Sequence, residues 1–227
     1  MRISHAPKIN YHLKKVIYLS FLFAIFSANA GSFDDFFKAV RNNQAPLMQS
    51  LLQRGFDPNT VDEKGLAGLM LAYQQDALKV VDVLLSWPTT KGEARNAADE
   101  SVLMLAALKG QLALCRTLID KGADVNKTGW TPLHYAATGG HLDVIRLLLD
   151  ESAYIDAESP NGSTPLMMAA GYGSVSAVKL LLEEGADPTL KNQQGMSAWD
   201  FARGVNRTDA AAIIAAFMRA RQPTGSW

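Results

Sequence analysis

The chain has 227 residues, of which 48% are hydrophobic, and its 22 basic and 22 acidic residues balance formally at neutral pH. This length suffices for one sizeable domain, or for a small domain with appendages. The charge balance, the sparse aromatic residues and the lack of a basic stretch interleaved with aromatics after residue 30 argue against a nucleic-acid-binding protein.

The first thirty residues have the composition of an export signal. A basic segment containing Arg2 and three lysines precedes the apolar stretch 16–26, and Ala28 and Ala30 form the small-residue pattern that signal peptidase prefers. The apolar stretch is shorter than the ~20 residues that a membrane-spanning helix needs. We therefore expect Sec-dependent export with cleavage after Ala30, which makes the chain periplasmic in a Gram-negative bacterium, or secreted. Retention as an N-terminal membrane anchor is the alternative.

Cleavage would leave a mildly acidic chain with few reactive side chains. Its 18 basic and 22 acidic residues give a net charge of −4, which favours solubility. Of the four histidines only His134 and His141 remain, and Cys115, the single cysteine, cannot form an internal disulfide. The mature chain must therefore be held together by packing alone, even in an oxidising compartment.

Similar segments recur along the remaining sequence. Blocks similar to "TPLHYAATGGH" begin at Ala67, Ser101, Thr131, Thr164 and Ser197, at spacings of 34, 30, 33 and 33 residues. The first four are each followed by a leucine-rich block such as "LDVIRLLLD", and tails such as "KGADVN" recur as well. Self-similarity at this period is typical of a repeat architecture.

The block at residue 131 indicates what one unit looks like. Thr131 is a good N-cap, Pro132 suits the first helical position, and Gly139-Gly140 ends a short helix. A second helix follows with a wide apolar face, formed by Leu142, Val144, Ile145, Leu148 and Leu149. Past the leucine-rich helix of the preceding unit, Gly122 leads into a short hairpin. Two short helices cannot bury their apolar faces alone, so neighbouring units must stack.

These motifs closely resemble the ankyrin-repeat family, whose signature runs T-P-L-H-x-A-A, then G-H, then L-L-x-x-G-A-D-V-N. The resemblance covers essentially all of residues 32–221. It implies an all-α solenoid of about six stacked repeats, each a helix-turn-helix with a β-hairpin finger, including atypical terminal caps. The domain is expected at 31–221, with a tail at 222–227 and repeats near 32–62, 63–96, 97–126, 127–159, 160–193 and 194–221. It also implies that Thr131, His134 and His141 are structural.

In this family the fingertips and the first helices line a concave face that carries recognition. Candidate partner-binding residues therefore flank the glycine before each Thr or precede the glycine between the helices: Arg41, Gln74, Gln75, Leu108, Lys109, Trp130, Thr138, Tyr172 and Met196, with neighbours such as Lys64, Leu66 and Glu100. Trp130 and Tyr172 stand out because aromatic residues dominate interface hot spots. The alternative for Trp130 is that it packs on its own finger.

Several departures from the family pattern carry expectations of their own. The finger at 124–129 is three residues shorter than its counterparts, so we expect a notch in the row of fingertips. Residues 86–100 form an atypical finger, and Ser152 stands where a helix-ending glycine belongs. Ala198-Trp199-Asp200 replaces P-L-H, as fits a terminal repeat with one face to solvent.

Other motifs in the sequence do not assemble a reactive site. Gly171-Tyr172-Gly173 is similar to the start of a dinucleotide-binding fingerprint, but Ser176 occupies the position of its last glycine and no strand precedes it. Cys115 lies beside leucines on the inner side of a predicted helix, which favours a buried small hydrophobic residue over a reactive thiol. We therefore expect no catalytic, metal-binding or cofactor-binding residues.

The leading hypothesis is a monomeric, non-catalytic scaffold or adaptor of the periplasm that binds another protein through the concave face. It would contact no nucleic acid, and no membrane after signal cleavage. One alternative is an inhibitor or immunity protein that occludes a partner enzyme. An enzyme is the third hypothesis, and the missing catalytic constellation disfavours it.

Overall fold

The computed structural model describes residues 31–221, so the predictions for residues 1–30 and 222–227 lie outside the described residues. Within the described part the chain forms six helical hairpins and no β-strand. The first helices of the hairpins are α1 (helical over residues 31–41), α3 (Gly68–Gln74), α5 (Val102–Leu108), α7 (Pro132–Gly139), α9 (Pro165–Gly171) and α11 (Ala198–Gly204). The second helices are α2 (Ala45–Gln53), α4 (Leu78–Ser86), α6 (Leu112–Asp120), α8 (Leu142–Asp150), α10 (Val175–Glu183) and α12 (Thr208–Arg221).

The hairpins stack in chain order, which confirms the predicted all-α solenoid. In the layer of first helices α5 packs on α7, α7 on α9 and α9 on α11. In the layer of second helices α6 packs on α8, α8 on α10 and α10 on α12. One continuous core runs along the stack, and its fully buried side chains include Leu103, Leu133, Ile145 and Leu148. Each hairpin therefore buries its apolar face against its neighbours.

Hydroxyl side chains cap the start of four first helices. The side-chain oxygens of Ser101, Thr131, Thr164 and Ser197 accept a hydrogen bond from the backbone N–H of the third helical residue at 3.2–3.4 Å. Pro132 follows Thr131 at the first helical position, where no N–H donor is needed. The predicted cap and the predicted proline position are both confirmed.

Left-handed residues end the helices where the sequence predicts them. Gly140 has φ 71° and Gly122 has φ 82°. Ser152, which replaces the expected glycine, adopts the same region with φ 66° and carries the strain that glycine would avoid. At Gly140 a Cβ atom would also lie 2.7 Å from the backbone nitrogen of Ser174, so the close approach of the next repeat requires glycine as well.

The fingers between successive hairpins are turns with very little β structure. We number them one to five, at residues 56–67, 91–101, 123–130, 153–163 and 186–196. Single antiparallel bridges, Val61 with Ala67 and Arg95 with Ser101, occur in fingers one and two. The predicted β-hairpin is thus reduced to one bridge or to a turn within the described residues.

The second and third hairpins pack less closely than their neighbours further along the stack. The second helices α4 and α6 contact each other less extensively than α6 contacts α8 or α10 contacts α12. A groove of about 600 Å³ lies between α4 and α6, with Leu85 on one side and Leu112 on the other. The atypical segment after α4 spans this junction, where Lys121 Nζ donates to the carbonyl oxygen of Trp87 at 2.7 Å.

Candidate functional site

The first helices and the fingers together form one face of the stack, which we call the first-helix face. It corresponds to the face that the sequence predicts to be concave. Two hollows open on it, one over α5, α7 and α9 and one between fingers one and two.

The first hollow, which we call the aromatic hollow, has a volume of about 200 Å³ and an almost wholly apolar lining. Its walls come from three consecutive repeats: Leu108, Trp130, Tyr135, Thr138 and Met168. Trp130 lies next to the start of a first helix, Tyr135 and Met168 share one position about one turn into it, and Leu108 and Thr138 share another about two turns into it. A stack of ordinary ankyrin-like hairpins therefore brings them together without any special loop.

Hydrogen bonds and ring contacts hold the walls of the aromatic hollow in place. The ring of Trp130 meets that of His134 edge-on, with centroids 5.2 Å apart. The Tyr135 hydroxyl donates to Glu100 Oε1 at 2.7 Å, and burial followed by this bond raises the pKa of Tyr135. Thr138 Oγ1 donates to the carbonyl oxygen of His134 at 2.8 Å. Trp130, Tyr135 and Thr138 are thus oriented before any ligand binds.

The short third finger borders the aromatic hollow through Trp130 and is held by contacts with the repeats on either side. Lys127 folds inward, with its side chain only 5% exposed, and its ammonium pairs with Asp99 at 2.5 Å. Asn126 Nδ2 donates to the carbonyl oxygen of Ser152 at 2.8 Å and so fixes the finger against the next repeat. The hollow lies beside Trp130, at the end of this finger, where the sequence predicts a notch.

The second hollow, which we call the interfinger hollow, has a volume of about 510 Å³. It lies between fingers one and two and is lined by Lys64, Gly65, Leu66, Gln74, Arg95, Asn96, Ala97 and Ala98. The guanidinium of Arg95 is already paired, with Glu93, with Asp99 at 3.1 Å and with Asp124 at 3.7 Å. The ammonium of Lys127 and then this guanidinium lower the pKa of Asp99.

The structure brings some of the predicted binding residues together and leaves others apart. Leu108, Trp130 and Thr138 share the aromatic hollow, whereas Gln74 lines the interfinger hollow. The remaining predicted residues line neither hollow; Arg41, Gln75, Lys109 and Tyr172 are exposed and Met196 is half-buried. Tyr172 is 61% exposed and follows Met168 by one helical turn.

Trp130 satisfies both interpretations of its role. It packs on His134 of its own repeat and is half-buried, as the structural alternative requires. It also lines an open apolar hollow, as the binding hypothesis requires. Tyr172 does not line the aromatic hollow with Trp130.

Sequence reasoning missed two residues of the aromatic hollow, Tyr135 and Met168. Both stand four residues after the hydroxyl residue that starts their helix. The equivalent residues Leu71, Leu105 and Phe201 are also half-buried, whereas the residues beside them are mostly buried. This recurrent position, rather than the positions around the glycines, is the signal that could have found them.

The histidines and the cysteine have the structural roles that the sequence predicts. His134 is buried and bonded within its repeat and to the next one. His141 Nε2 lies 2.9 Å from the carbonyl oxygen of Leu108 and ties the third repeat to the fourth. Cys115 is fully buried, and its pKa is raised to about 12, first by burial and then by the charge of Asp143.

Residues 31–221 contain neither a metal-binding cluster nor a membrane-spanning helix. In residues 31–221 no group of three or more His, Cys, Asp and Glu side chains is arranged to hold a metal ion. None of the helices in that part combines the length and the apolar character of a membrane span.

Comparison with known proteins agrees with the geometry of the stack. The family model for ankyrin repeats, three copies long, matches residues 36–128 and, overlapping, residues 103–192. The chain belongs to the ankyrin-repeat family. The matched region contains both hollows, so the candidate site lies within the repeats themselves.

Individual relatives share only the repeat region with this ankyrin-repeat protein. The chain is 36% identical to Ankyrin repeat and SAM domain-containing protein 6 of Rattus norvegicus over 109 residues, which are 46% of this chain and 12% of that protein. It is 35% identical to the 2-5A-dependent ribonuclease of Mus musculus over 80 residues, which are 34% of this chain and 11% of that protein. It is 37% identical to NF-kappa-B inhibitor alpha of Mus musculus over 93 residues, which are 39% of this chain and 30% of that protein. The chain therefore matches less than a third of each of these relatives.

Proposed function

We propose that this chain is a non-catalytic scaffold or adaptor that holds another protein against its first-helix face. Ankyrin repeats are protein-interaction modules, and the whole matched region consists of them. The fold alone supports binding only by analogy. The choice of surface therefore depends on particular residues.

The observation that carries the proposal is the aromatic hollow. It is apolar, it is open, and its Trp130 and Tyr135 walls are already oriented by His134 and Glu100. Tryptophan and tyrosine in well-packed pockets dominate the energetics of protein interfaces. A pocket whose walls are preformed also costs less side-chain entropy when a partner binds.

Chemical crosslinking followed by affinity purification tests this proposal. The variant replaces Trp130 and Tyr172 with alanine, and the matched control replaces Arg146 and Lys179 with alanine, two exposed residues of the second helices α8 and α10 that lie away from the first-helix face. We expect the double variant to lose its partner, with binding weakened by several kcal/mol if both rings are hot spots. The control should retain the partner, and far-UV circular dichroism should match the wild type in both.

Two results would change this conclusion. Partner recovery equal to that of the wild type would place the binding surface elsewhere. Unfolding of the double variant would show that Trp130 is structural, and Tyr172→Ala and Leu108→Ala would then test the face without disturbing the Trp130–His134 contact.

The periplasmic location is also part of the proposal, and the signal-like residues 1–30 support it. Fractionation of a Gram-negative host tests the location independently of binding. The protein should be released by osmotic shock together with a periplasmic marker. Recovery with the cytoplasmic fraction would contradict it.

Inhibition of a partner enzyme is the second candidate. It is favoured by the 37% identity to a protein whose name describes it as an inhibitor, NF-kappa-B inhibitor alpha. Once a partner is recovered, its activity with and without this chain decides between the two. An adaptor leaves the activity intact, whereas an inhibitor abolishes it at equimolar concentration.

A further inference from the structure

Charge is distributed unequally along the first-helix face. Repeats one to three each contribute a cation: Arg41, Lys64 and Lys109. None of the three has an ion-pair partner among residues 31–221, although the Lys109 ammonium lies 5.0 Å above the ring of Tyr73. The equivalent positions of repeats four to six are uncharged: Thr128, Trp130, Thr138, Asn161, Ser163, Tyr172, Gln194 and Met196.

Most carboxylates near these cations are already bonded to other groups. Glu100 accepts from the hydroxyl of Tyr135 and from the side-chain amide of Asn96. Asp62 accepts from the backbone N–H groups of its own finger at 2.8 and 2.9 Å. Glu63, exposed at the fingertip, and Asp76, exposed after α3 and close to Tyr73, are exceptions. The face therefore presents the unpaired cations Arg41, Lys64 and Lys109 over its first half, and uncharged side chains with the apolar aromatic hollow at the equivalent positions of its second half.

The size of the aromatic hollow selects the kind of group that fits it. Pockets that bury a small-molecule ligand measure ~300–1,000 Å³. The aromatic hollow, at about 200 Å³, is smaller and has almost no polar lining. It suits one apolar side chain of a protein partner better than a free small molecule.

We propose that the partner presents an extended segment with one large apolar side chain in the aromatic hollow and carboxylates over the cations of repeats one to three. This inference rests on the proposed function and adds the chemistry of the partner to it. Neighbouring repeats are about one helix diameter apart, ~10 Å, and an extended chain advances ~3.3 Å per residue. A carboxylate about three residues from the anchor reaches Lys109, and one about six residues away reaches Lys64.

Selection from a library of displayed random 16-residue peptides tests the proposal without a known partner. The bait is the full chain, and the counter-selection bait is Leu108→Glu, which places a carboxylate in the hollow. Leu108 is 38% exposed at the end of α5, so this change should leave the fold intact. Enriched peptides should carry one large apolar residue with Asp or Glu about three and six positions to one side of it.

Fluorescence anisotropy of the best enriched peptide then measures each half of the face. Leu108→Glu should weaken binding about tenfold or more, and the paired change Lys64→Gln with Lys109→Gln about tenfold. The matched controls on α4 are Leu78→Glu, at a leucine 41% exposed, and Lys79→Gln, at an exposed and unpaired lysine. Both should change the affinity by less than about twofold. Raising the salt concentration should weaken wild-type binding more than that of the double-glutamine variant, which keeps only Arg41 of the three cations.

Three outcomes would overturn the inference. The first is that the enriched peptides lack acidic residues. The second is that replacing Lys64 and Lys109 leaves the peptide affinity unchanged. The third is that Leu108→Glu weakens the binding of none of the enriched peptides. None of them decides the proposed function, because the crosslinking experiment with Trp130 and Tyr172 measures partner binding whatever the partner's charge. If the Trp130 and Tyr172 variant loses its partner in the crosslinking experiment but the selected peptides are not acidic, the scaffold function is supported and only the acidic segment is rejected.

Discussion

The imidazole Nε2 of His134 lies 2.9 Å from the carbonyl oxygen of Ser163, which precedes Thr164, the N-cap of the next first helix. Because a carbonyl oxygen can only accept, Nε2 carries the proton and Nδ1 accepts from the backbone N–H of Thr131 at 3.2 Å. One neutral ring therefore closes the start of its own helix and joins the fourth repeat to the fifth.

This buried histidine predicts a stability that depends on pH. Burial lowers the pKa of His134 from 6.5 to about 4 in the folded protein. Below pH 6.5 the unfolded chain gains a proton that the folded chain does not bind until about pH 4. The contribution of His134 is full above pH 6.5 and is lost as the pH falls towards 4, by roughly 3 kcal/mol. Urea unfolding at several pH values measures it.

His134→Met is the matched variant, since Met104 and Met167 occupy the same position in the third and fifth repeats. Their sulfur atoms accept from the backbone N–H groups of Ser101 and Thr164 at 3.3 and 3.4 Å. The two proteins have the same carboxylates. The difference between their unfolding free energies at each pH therefore gives the contribution of His134. Curves that stay parallel from pH 7 to pH 4 would contradict the prediction.

Leu148 should be one of the most sensitive core positions. It is fully buried on α8, which packs between α6 and α10. Leu148→Ala should lower the free energy of unfolding by ~2–5 kcal/mol, because it removes buried methyl groups and leaves a cavity. Leu78→Ala, at an exposed leucine of α4, should change it by only about 0.5 kcal/mol. An unchanged melting temperature for Leu148→Ala would show that the packing register is wrong.

Cys115 should react with thiol reagents only after unfolding. Its side chain is fully buried and its pKa is raised to about 12, so neither access nor thiolate is available in the native protein at neutral pH. Labelling with a chromogenic disulfide should be slow in buffer and should reach one equivalent in urea. Labelling of the native protein at the rate of a free thiol would instead support a reactive role for Cys115.

The N-terminal segment should be removed after Ala30. N-terminal sequencing of protein recovered from the periplasm should begin at Gly31, because Ala28 and Ala30 supply the small residues that signal peptidase requires. Ala30→Arg should block cleavage. A full-length wild-type chain held in the inner membrane would instead support the anchor alternative.

The sequence predicts the features of this stack that are local. The hydroxyl of Thr131, the proline after it and the left-handed Gly140 act within one or two helical turns, so their roles follow from residue type and spacing. The left-handed Ser152 could be predicted for the same reason, since the repeat pattern fixes its backbone before its side chain is considered.

The features that depend on two or three repeats at once could not be predicted in this way. Tyr135 and Met168 form walls of the aromatic hollow only because α7 and α9 stack at a particular offset. Lys127 is buried because finger two brings Asp99 to it. Nothing in the short segment around Lys127 distinguishes it from an ordinary exposed lysine.

The loose junction between α4 and α6 also bears on how the stack comes apart. In a linear array each repeat is stabilised by its neighbours only, so the weakest interface marks the limit of cooperative unfolding. One of the contacts across that junction is the 2.6 Å hydrogen bond from the Tyr73 hydroxyl to Gln111 Oε1. We therefore expect repeats one and two to open as one block while repeats three to six stay folded, so a chain pulled from its N-terminus would lengthen in two steps.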